Sequence, residues 1–306
     1  RNLLEVIKMK TFIAITKRNI QLFFKDKGMF FSALITPIIL LVLYTTFLGN
    51  VYHDSFVSAL PEGFSISEKI INGTVGGQLC SSLLAVCCVT VAFCSNLLMV
   101  QDKTSGARKD FLVTPVKKSI LSLSYYFASL ITTLIISYIA VAASFIYIAF
   151  TGWFFTFGDC LLLLLDVFLV TMFGTAISSI INVFLSTNGQ ASAVGTIVSA
   201  GYGFICGAYM PISSFGSGLQ KVLSFLPGTY GTSLIRNHSL KGVFRAMGKE
   251  GIPEEIVSSI KKSIDCNLSF FEKDVSIAGM YIILISSILI LIGIYVLINL
   301  VKKGRE

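Results

Sequence analysis

Six long apolar runs constrain the fold of this chain more than any other feature of its sequence. Each supplies the 20 or so residues that an α-helix needs to cross a hydrocarbon core roughly 30 Å thick. Only helices and closed barrels satisfy the backbone in lipid, and runs of this length are helices. The predicted spans are residues 29–49, 76–100, 124–150, 159–184, 191–210 and 275–301.

The composition supports a membrane protein. Only 13% of the 306 residues are charged and 54% are hydrophobic, whereas soluble domains carry about 25% charged residues. We therefore predict an all-α polytopic protein with a single transmembrane domain over residues 1–306. The net charge of +8 does not indicate nucleic-acid binding here, because basic residues collect on the cytoplasmic loops of membrane proteins.

The distribution of lysine and arginine predicts the orientation. Residues 1–28, 101–122 and 302–306 hold seven, five and three of these side chains, whereas residues 50–75 and 151–158 hold one and none. The long segment after the fifth span holds eight, but long loops weigh little in this rule. Both termini and residues 101–122 are therefore predicted to be cytoplasmic.

Residues 9–28 predict an amphipathic helix that lies in the inner membrane interface. Its apolar side recurs at helical period and has lysines beside it. A solvated basic tail is the alternative, but a tail does not need an apolar side. The residues on that side are Met9, Phe12, Ile13, Thr16, Ile20, Phe23 and Phe24.

The cytoplasmic segment 101–122 has the composition of a docking element. Gly106 and Pro115 bracket a stretch that can form a short helix carrying Phe111 and Leu112 among charged residues. Apolar anchors mixed with charges are typical of protein interfaces. The alternative is that these charges only set the orientation, which would not require the apolar side chains.

Residues 211–236 are apolar but cannot form one straight helix, because Pro211 and Pro227 interrupt them. Broken backbone at membrane depth must be covered by protein or line a cavity. We predict two short re-entrant helices in the outer leaflet, with Arg236 snorkelling at the exit. Residues 237–274 form the predicted outer loop, with two small amphipathic helices that either cap the outer mouth or act as a spacer.

No enzyme site or metal site is predicted from the sequence. Four of the seven cysteines lie in the second span, where thiols behave as small hydrophobes and fit no zinc spacing. His53 and His238, the two histidines, both lie outside the predicted spans. The chain contains no G-x-x-x-x-G-K-[ST] phosphate loop.

Asp166 lies inside the predicted fourth span. Intramembrane acids are costly and are usually functional or paired. Asp166 would either bind a cationic substrate or accept a buried hydrogen bond from a serine, threonine or tyrosine.

Four motifs in order carry a family resemblance. They are the interfacial helix followed by a proline-containing first span; Asp102, Gly106, Leu112 and Pro115 after the second span; "GAYMPISS" from Gly207 through Pro211; and "FLPGTYGTSLIR" through Pro227, Tyr230 and Arg236. The chain resembles type-2 ABC exporter permeases, the family of drug, teichoic-acid and polysaccharide export permeases. A glutamate is commoner in that family where Asp102 stands.

The resemblance implies how the protein works. Two permease subunits would pair, as a homodimer or with a paralogue, and each would sit on a cytosolic ATP-binding subunit that carries the ATP and Mg²⁺. This chain would hold no cofactor and would not be an enzyme. Segment 101–122 would be the coupling helix, with contact residues Asp102, Lys103, Gly106, Arg108, Lys109, Phe111, Leu112 and Pro115.

In the family the second and fifth spans line the dimer seam and the path. Small and hydroxyl residues share one face of each of these spans here, although they equally suit helix packing inside one subunit. The residues implied for the path or seam are Gln78, Ser82, Asn96, Ser192, Thr196 and Ser199, together with Asp166.

The expected function is export of a lipophilic or amphipathic substrate, such as a drug, an antimicrobial peptide or a lipid, across a bacterial plasma membrane. Multidrug efflux would be one form of it, and export of a lipid-linked polysaccharide or teichoic acid is an alternative. An ion-coupled secondary transporter is a further alternative. Such transporters usually show internal repeats with broken helices in both halves, whereas only one broken segment is predicted here.

Overall fold

A computed structural model describes residues 2–58, 66–271 and 273–301, and this part of the chain is 84% helical. A π-helical turn (Tyr44–Leu48) joins α2 to α3, a 3₁₀ turn (Ile212–Ser214) follows α9, and two short antiparallel strands, β1 (Ser269–Phe270) and β2 (Lys273–Asp274), precede the last helix. The helices are α1 (Asn2–Lys25), α2 (Lys27–Leu43), α3 (Gly49–Ser58), α4 (Glu68–Ser95), α5 (Leu97–Thr104), α6 (Ala107–Leu112), α7 (Lys118–Thr151), α8 (Phe157–Phe184), α9 (Asn188–Ile205), α10 (Ser217–Leu223), α11 (Pro227–Lys249), α12 (Glu254–Ser263) and α13 (Ile277–Val301).

Five helical segments of the described chain are long and apolar enough to cross a membrane. They cover Lys27–Asp54, Glu68–Thr104, Lys118–Thr151, Phe157–Phe184 and Ile277–Val301. The prediction of an all-α protein with several spans is confirmed at this level. The predicted span 191–210 corresponds to α9, which is 18 residues long and diluted by glycine, serine and threonine. A sixth span therefore stays a prediction.

Helix α4 occupies the centre of the bundle. It packs against α2, α7, α8, α9 and α11, and almost all of its side chains are buried. Small residues allow this close packing. A Cβ added at Gly174 of α8 would lie 2.9 Å from the carbonyl oxygen of Cys88 in α4, so the two backbones nearly touch there. The face of α4 on which Gln78 and Ser82 lie is therefore covered by protein of the same chain.

Helix α1 lies along α7 and does not behave as a free tail. Ile15, Thr16 and Phe23 are buried in the contact, whereas Met9 and Ile13 on the predicted apolar side are exposed. Asp26 ends the helix and caps the next one, because its carboxylate accepts a hydrogen bond from the backbone N–H of Met29. Both sides of α1 thus carry apolar residues, one facing the protein and the other available to lipid.

The segment after α9 is broken near Pro211 and before Pro227, the two prolines that the sequence indicated. Pro227 occupies the first turn of α11, a favoured position for proline. Helix α11 then continues without a break to Lys249, across the predicted boundary between residues 236 and 237. The next break falls at 250–253, before α12. Nothing in the structure tests whether residues 211–236 dip into a leaflet, and this stays a prediction.

Two glycines of α11 allow a matched stability test. A side chain at Gly242 would overlap the backbone carbonyl of Phe154, whereas nothing lies within 4 Å of a side chain at Gly248. We expect Gly242→Ala to lower the free energy of unfolding by about 1–3 kcal/mol through overpacking. Gly248→Ala is expected to raise it by about 0.5–1 kcal/mol, since alanine favours helix. Thermal unfolding of both variants in detergent checks this, and equal melting temperatures would contradict the close contact at Gly242.

Candidate functional site

The end of the bundle that carries α6, here the α6 end, contains a buried ion pair. Asp102 is 5% exposed. Its carboxylate accepts hydrogen bonds from the Arg18 guanidinium at 2.5 and 3.2 Å and from the Tyr125 hydroxyl at 2.5 Å. The three residues belong to α5, α1 and α7, so one carboxylate ties three helices together. The hydrogen bond from Arg18 to Asp102 also raises the pKa of Arg18.

Lys103, the next residue, connects α5 to a fourth helix. Its ammonium donates hydrogen bonds to the backbone carbonyls of Asn182 and Val183 at 2.8 Å and of Leu185 at 3.0 Å. These carbonyls lie at the end of α8, where helices leave carbonyl groups unpaired and the helix dipole favours a cation. A displacement of Lys103 would therefore also move the end of α8.

The short helix α6 projects beyond these two residues. Gly106, at a φ of +85°, turns the chain into it, in the left-handed region that glycine adopts without cost. Val113 at its far end is 87% exposed, and Lys109 is exposed as well. Phe111 instead turns back toward the bundle, where the Arg18 guanidinium lies 5.2 Å from the centre of its ring. We define residues 106–115 as the α6 knob.

Two of the sequence-predicted contact residues are thereby reassigned. Asp102 is buried and Lys103 caps α8, so neither offers its charge on the outer surface of the α6 knob. Both residues lie between the α6 knob and the bundle and connect the two. Of the other six, Lys109 and Pro115 are exposed, Gly106, Arg108 and Phe111 are half-buried, and the side chain of Leu112 lies outside the described residues.

A second buried charge lies toward the opposite end, which carries α12 and is called the α12 end. Arg236 is 2% exposed, so the prediction that it snorkels is wrong. Its guanidinium donates to the carbonyls of Gly207 and Ile264 at 2.8 Å each, and lies 3.8 Å from the Asp265 carboxylate. Asp265 in turn accepts a hydrogen bond from the backbone of Ile212. Arg236 thus holds the turns after α9 and α12 against α11.

The other sequence-predicted residues of this segment surround the same network. Gly207 adopts a φ of +75° and presents its carbonyl to Arg236. Pro211 precedes the 3₁₀ turn, and Pro227 opens α11. The Tyr230 hydroxyl donates to the carbonyl of Ser224 at 2.6 Å, which ties α11 to the end of α10. All of them stabilise the broken backbone.

Asp166 belongs to a buried polar cluster. It is 0% exposed, and one carboxylate oxygen accepts from the Tyr281 hydroxyl while the other lies 2.5 Å from Nδ1 of His238. A buried tyrosine partner was one of the two interpretations considered. His238, 4% exposed, was missed because the sequence placed it in the outer loop. Because both carboxylate oxygens of Asp166 already have partners, neither is free to bind a cationic substrate.

The residues implied for a path or seam fall into two groups. Gln78, Ser82 and Asn96 are buried inside the bundle, and the Asn96 amide donates to the hydroxyls of Ser178 and Ser179 in α8 at 2.5 and 3.1 Å. All three are thus covered by other parts of the same chain, and their assignment to a path or seam stays a prediction. On α9, Ser192 and Thr196 are exposed and Ser199 is half-buried. Only the α9 group is available to another molecule.

Among the described residues, His, Cys, Asp and Glu side chains form no group that could hold a metal ion. The cysteines of that part of the chain are unpaired and largely buried.

Comparison with known families identifies the chain over most of its length. The family model described as "ABC-2 type transporter" matches residues 10–238. The match begins in α1 and ends within α11, and so includes the α6 knob and Arg236, while Ile264 and Asp265 lie beyond it. A search of curated proteins found no match.

Proposed function

Because the chain belongs to the ABC-2 type transporter family, we propose that it is the permease of an ATP-driven exporter coupled through the α6 knob. Membership makes the chain a membrane-embedded permease component and not itself an ATPase. The observation that carries the finer proposal is the α6 knob. Its tip is exposed, and Asp102 and Lys103, which precede it in α5, connect it to α1, α7 and α8.

The partner in this proposal is a cytosolic ATP-binding subunit that holds ATP and Mg²⁺. The count of lysine and arginine favours a cytoplasmic position for the α6 end, where such a subunit would bind. Exposed Val113 supplies an apolar anchor with charged Lys109 and Asp110 beside it. This mixture is typical of a protein interface.

Movement of the α6 knob would be passed on to helices of the bundle through two residues of α5. Asp102 would transmit it to α1 and α7 through Arg18 and Tyr125, and Lys103 to the end of α8. These contacts are short and charged, and charge-assisted hydrogen bonds are the stronger kind. Closure of the ATP-binding subunits would in this way shift several helices together between inward-open and outward-open states.

A second permease copy or a paralogue would complete the transporter. The exposed face of α9, with Ser192 and Thr196, is the surface for it, since small side chains let helices approach closely in lipid. The cargo would be a lipophilic or amphipathic molecule moved out of a bacterial cell, which includes drugs, antimicrobial peptides and lipids.

The proposal is tested by purifying the tagged permease from its native membrane in mild detergent. A protein with a phosphate-binding loop should accompany it in near-equal amounts. We expect Val113→Asp to weaken this association about 30-fold, because a carboxylate would replace an apolar anchor at a cost of roughly 2 kcal/mol. The retained fraction after dilution measures it.

Gln21→Asp is the matched control, since Gln21 is exposed on α1 and is not one of the residues of the α6 knob. It should retain the partner. If the permease purifies alone and its transport follows an ion gradient, the ATP-driven proposal is wrong. If the partner is retained equally by both variants, the α6 knob is not the contact.

A further inference from the structure

A cavity of about 600 Å³ opens at the α12 end. One side is a face of α11, the other is a face of α12, and the first residue of α13, Ile277, lies at its edge. Its volume falls within the range of about 300–1,000 Å³ that is common for ligand sites. It lies at the opposite end from the α6 knob and shares no residue with it.

The charged residues that line the cavity are mostly cations. Among the described lining residues, Lys241 and Arg245 project from α11 and Lys261 from α12, while Glu254 is the single acid. Cations thus face the cavity from both walls. An anion placed between the walls would be attracted to each of them.

The Arg245 side chain is held in place by a buried carboxylate. Its guanidinium pairs with Asp159, which is 1% exposed and caps the start of α8 together with Thr156. Lys241 lies 3.8 Å from the same carboxylate, too far for a hydrogen bond. The Lys261 ammonium lies 4.9 Å from the centre of the Phe244 ring. Both lysine ammoniums therefore keep donors for a ligand.

The remainder of the cavity wall includes apolar side chains. Phe244, Ile252 and Val257 line it together with the three cations. Ile277 begins the apolar helix α13, most of which is exposed on the surface of the bundle. A ligand can therefore reach the cavity from the lipid along α13 while its charged group meets the lysines.

We propose that this cavity binds an amphipathic anion. A phosphate-type group would lie between Lys241 and Lys261, and an alkyl part against Phe244, Ile252 and Val257. Such a ligand is a membrane lipid with an anionic headgroup or a cargo molecule of the same chemistry. The site is separate from the coupling contact and does not depend on it. With the orientation proposed above, it faces the outer side.

The test measures binding by native mass spectrometry of the intact permease in a neutral detergent, with its partner retained where the two copurify. The probes are dodecyl phosphate, inorganic phosphate and dodecyl maltoside. We expect dodecyl phosphate to bind, and Lys241→Gln together with Lys261→Gln to weaken that binding about 10- to 100-fold by removing two charge-assisted contacts. The matched control is Lys249→Gln with Lys262→Gln, which removes the same charge from the same helices outside this cavity.

Equal loss in both double variants would overturn the proposal, because a general charge effect would then explain the binding. Equal binding of dodecyl maltoside would show an apolar groove without a preference for anions. Equal binding of inorganic phosphate would show a free-anion site, which contradicts the apolar half of the argument. Competition between dodecyl phosphate and phosphatidylglycerol, absent with phosphatidylcholine, would identify a membrane lipid as the source of the ligand.

Discussion

Replacing Arg236 by methionine is expected to destabilise the protein by about 3–5 kcal/mol, the range found when one partner of a buried ion pair is removed. The guanidinium is the donor for the carbonyls of Gly207 and Ile264 and lies beside the Asp265 carboxylate. Methionine fills similar space but leaves the two carbonyls without this donor and the Asp265 carboxylate without its cation. Thermal unfolding in detergent, followed by size-exclusion chromatography, measures the loss.

The effect should depend on pH through Asp265. Burial raises the pKa of Asp265, and the charge of Arg236 opposes that rise. A carboxyl whose folded-state pKa is raised contributes stability below its unfolded pKa of about 3.9, and this is lost as pH rises through the folded-state pKa. The defect of Arg236→Met should therefore shrink as pH falls from neutral toward about 4.

A second variant keeps the prediction testable if Arg236→Met does not fold. Adding Asp265→Asn to Arg236→Met removes the uncompensated charge, and asparagine tolerates the positive φ of 56° at this position. The double variant should recover part of the folded yield and lose the pH dependence. The control is Lys249→Met, an exposed change on the same helix. Melting of Arg236→Met at the wild-type temperature would refute the importance of the network.

Replacing Arg18 by methionine is the other change with a large expected effect. It leaves the buried Asp102 carboxylate with Tyr125 as a neutral partner, and we expect a loss of about 3 kcal/mol. Removal of the Arg18 guanidinium should also break the connection between α1 and the α6 knob, because that connection runs through Asp102. ATP hydrolysis by the purified complex should then persist while export falls at least tenfold. Both rates measured on one preparation check this.

Lys17→Met is the matched control, because Lys17 is the exposed neighbour of Arg18 in α1. It should leave stability and export unchanged. Adding Asp102→Asn to Arg18→Met should restore stability, since no charge is left unpaired, without restoring export. Full export by Arg18→Met would contradict the role of this ion pair in coupling.

The features that could be predicted from sequence are those encoded by neighbouring residues. Apolar runs revealed five spans, because crossing lipid requires about 20 apolar residues in succession. Gly106 and Pro115 revealed a short helix between them for a similarly local reason. The ninth helix was harder, since its glycine and hydroxyl residues weaken the hydropathy signal while favouring contact with other helices.

The buried charges could not be located in the same way. Arg18 and Asp102 are 84 residues apart, and Asp166 and His238 are 72 apart, so nothing local indicates that they meet. Arg236 was expected at the surface because an isolated arginine in lipid snorkels. It is buried because backbone carbonyls from two distant turns converge on it, which only the tertiary structure provides.

The central position of α4 also orders the assembly of the protein in time. Synthesis proceeds from the N-terminus, so this helix is made before α8 and α11, the elements that supply partners for Asn96 and Ser82. Asn96 lacks its partners Ser178 and Ser179 until α8 has been made, and Ser82 lacks the Arg236 guanidinium until α11 has been made. The middle of the mature bundle therefore becomes fully packed only after α11 has been made, although its sequence is among the first to enter the membrane.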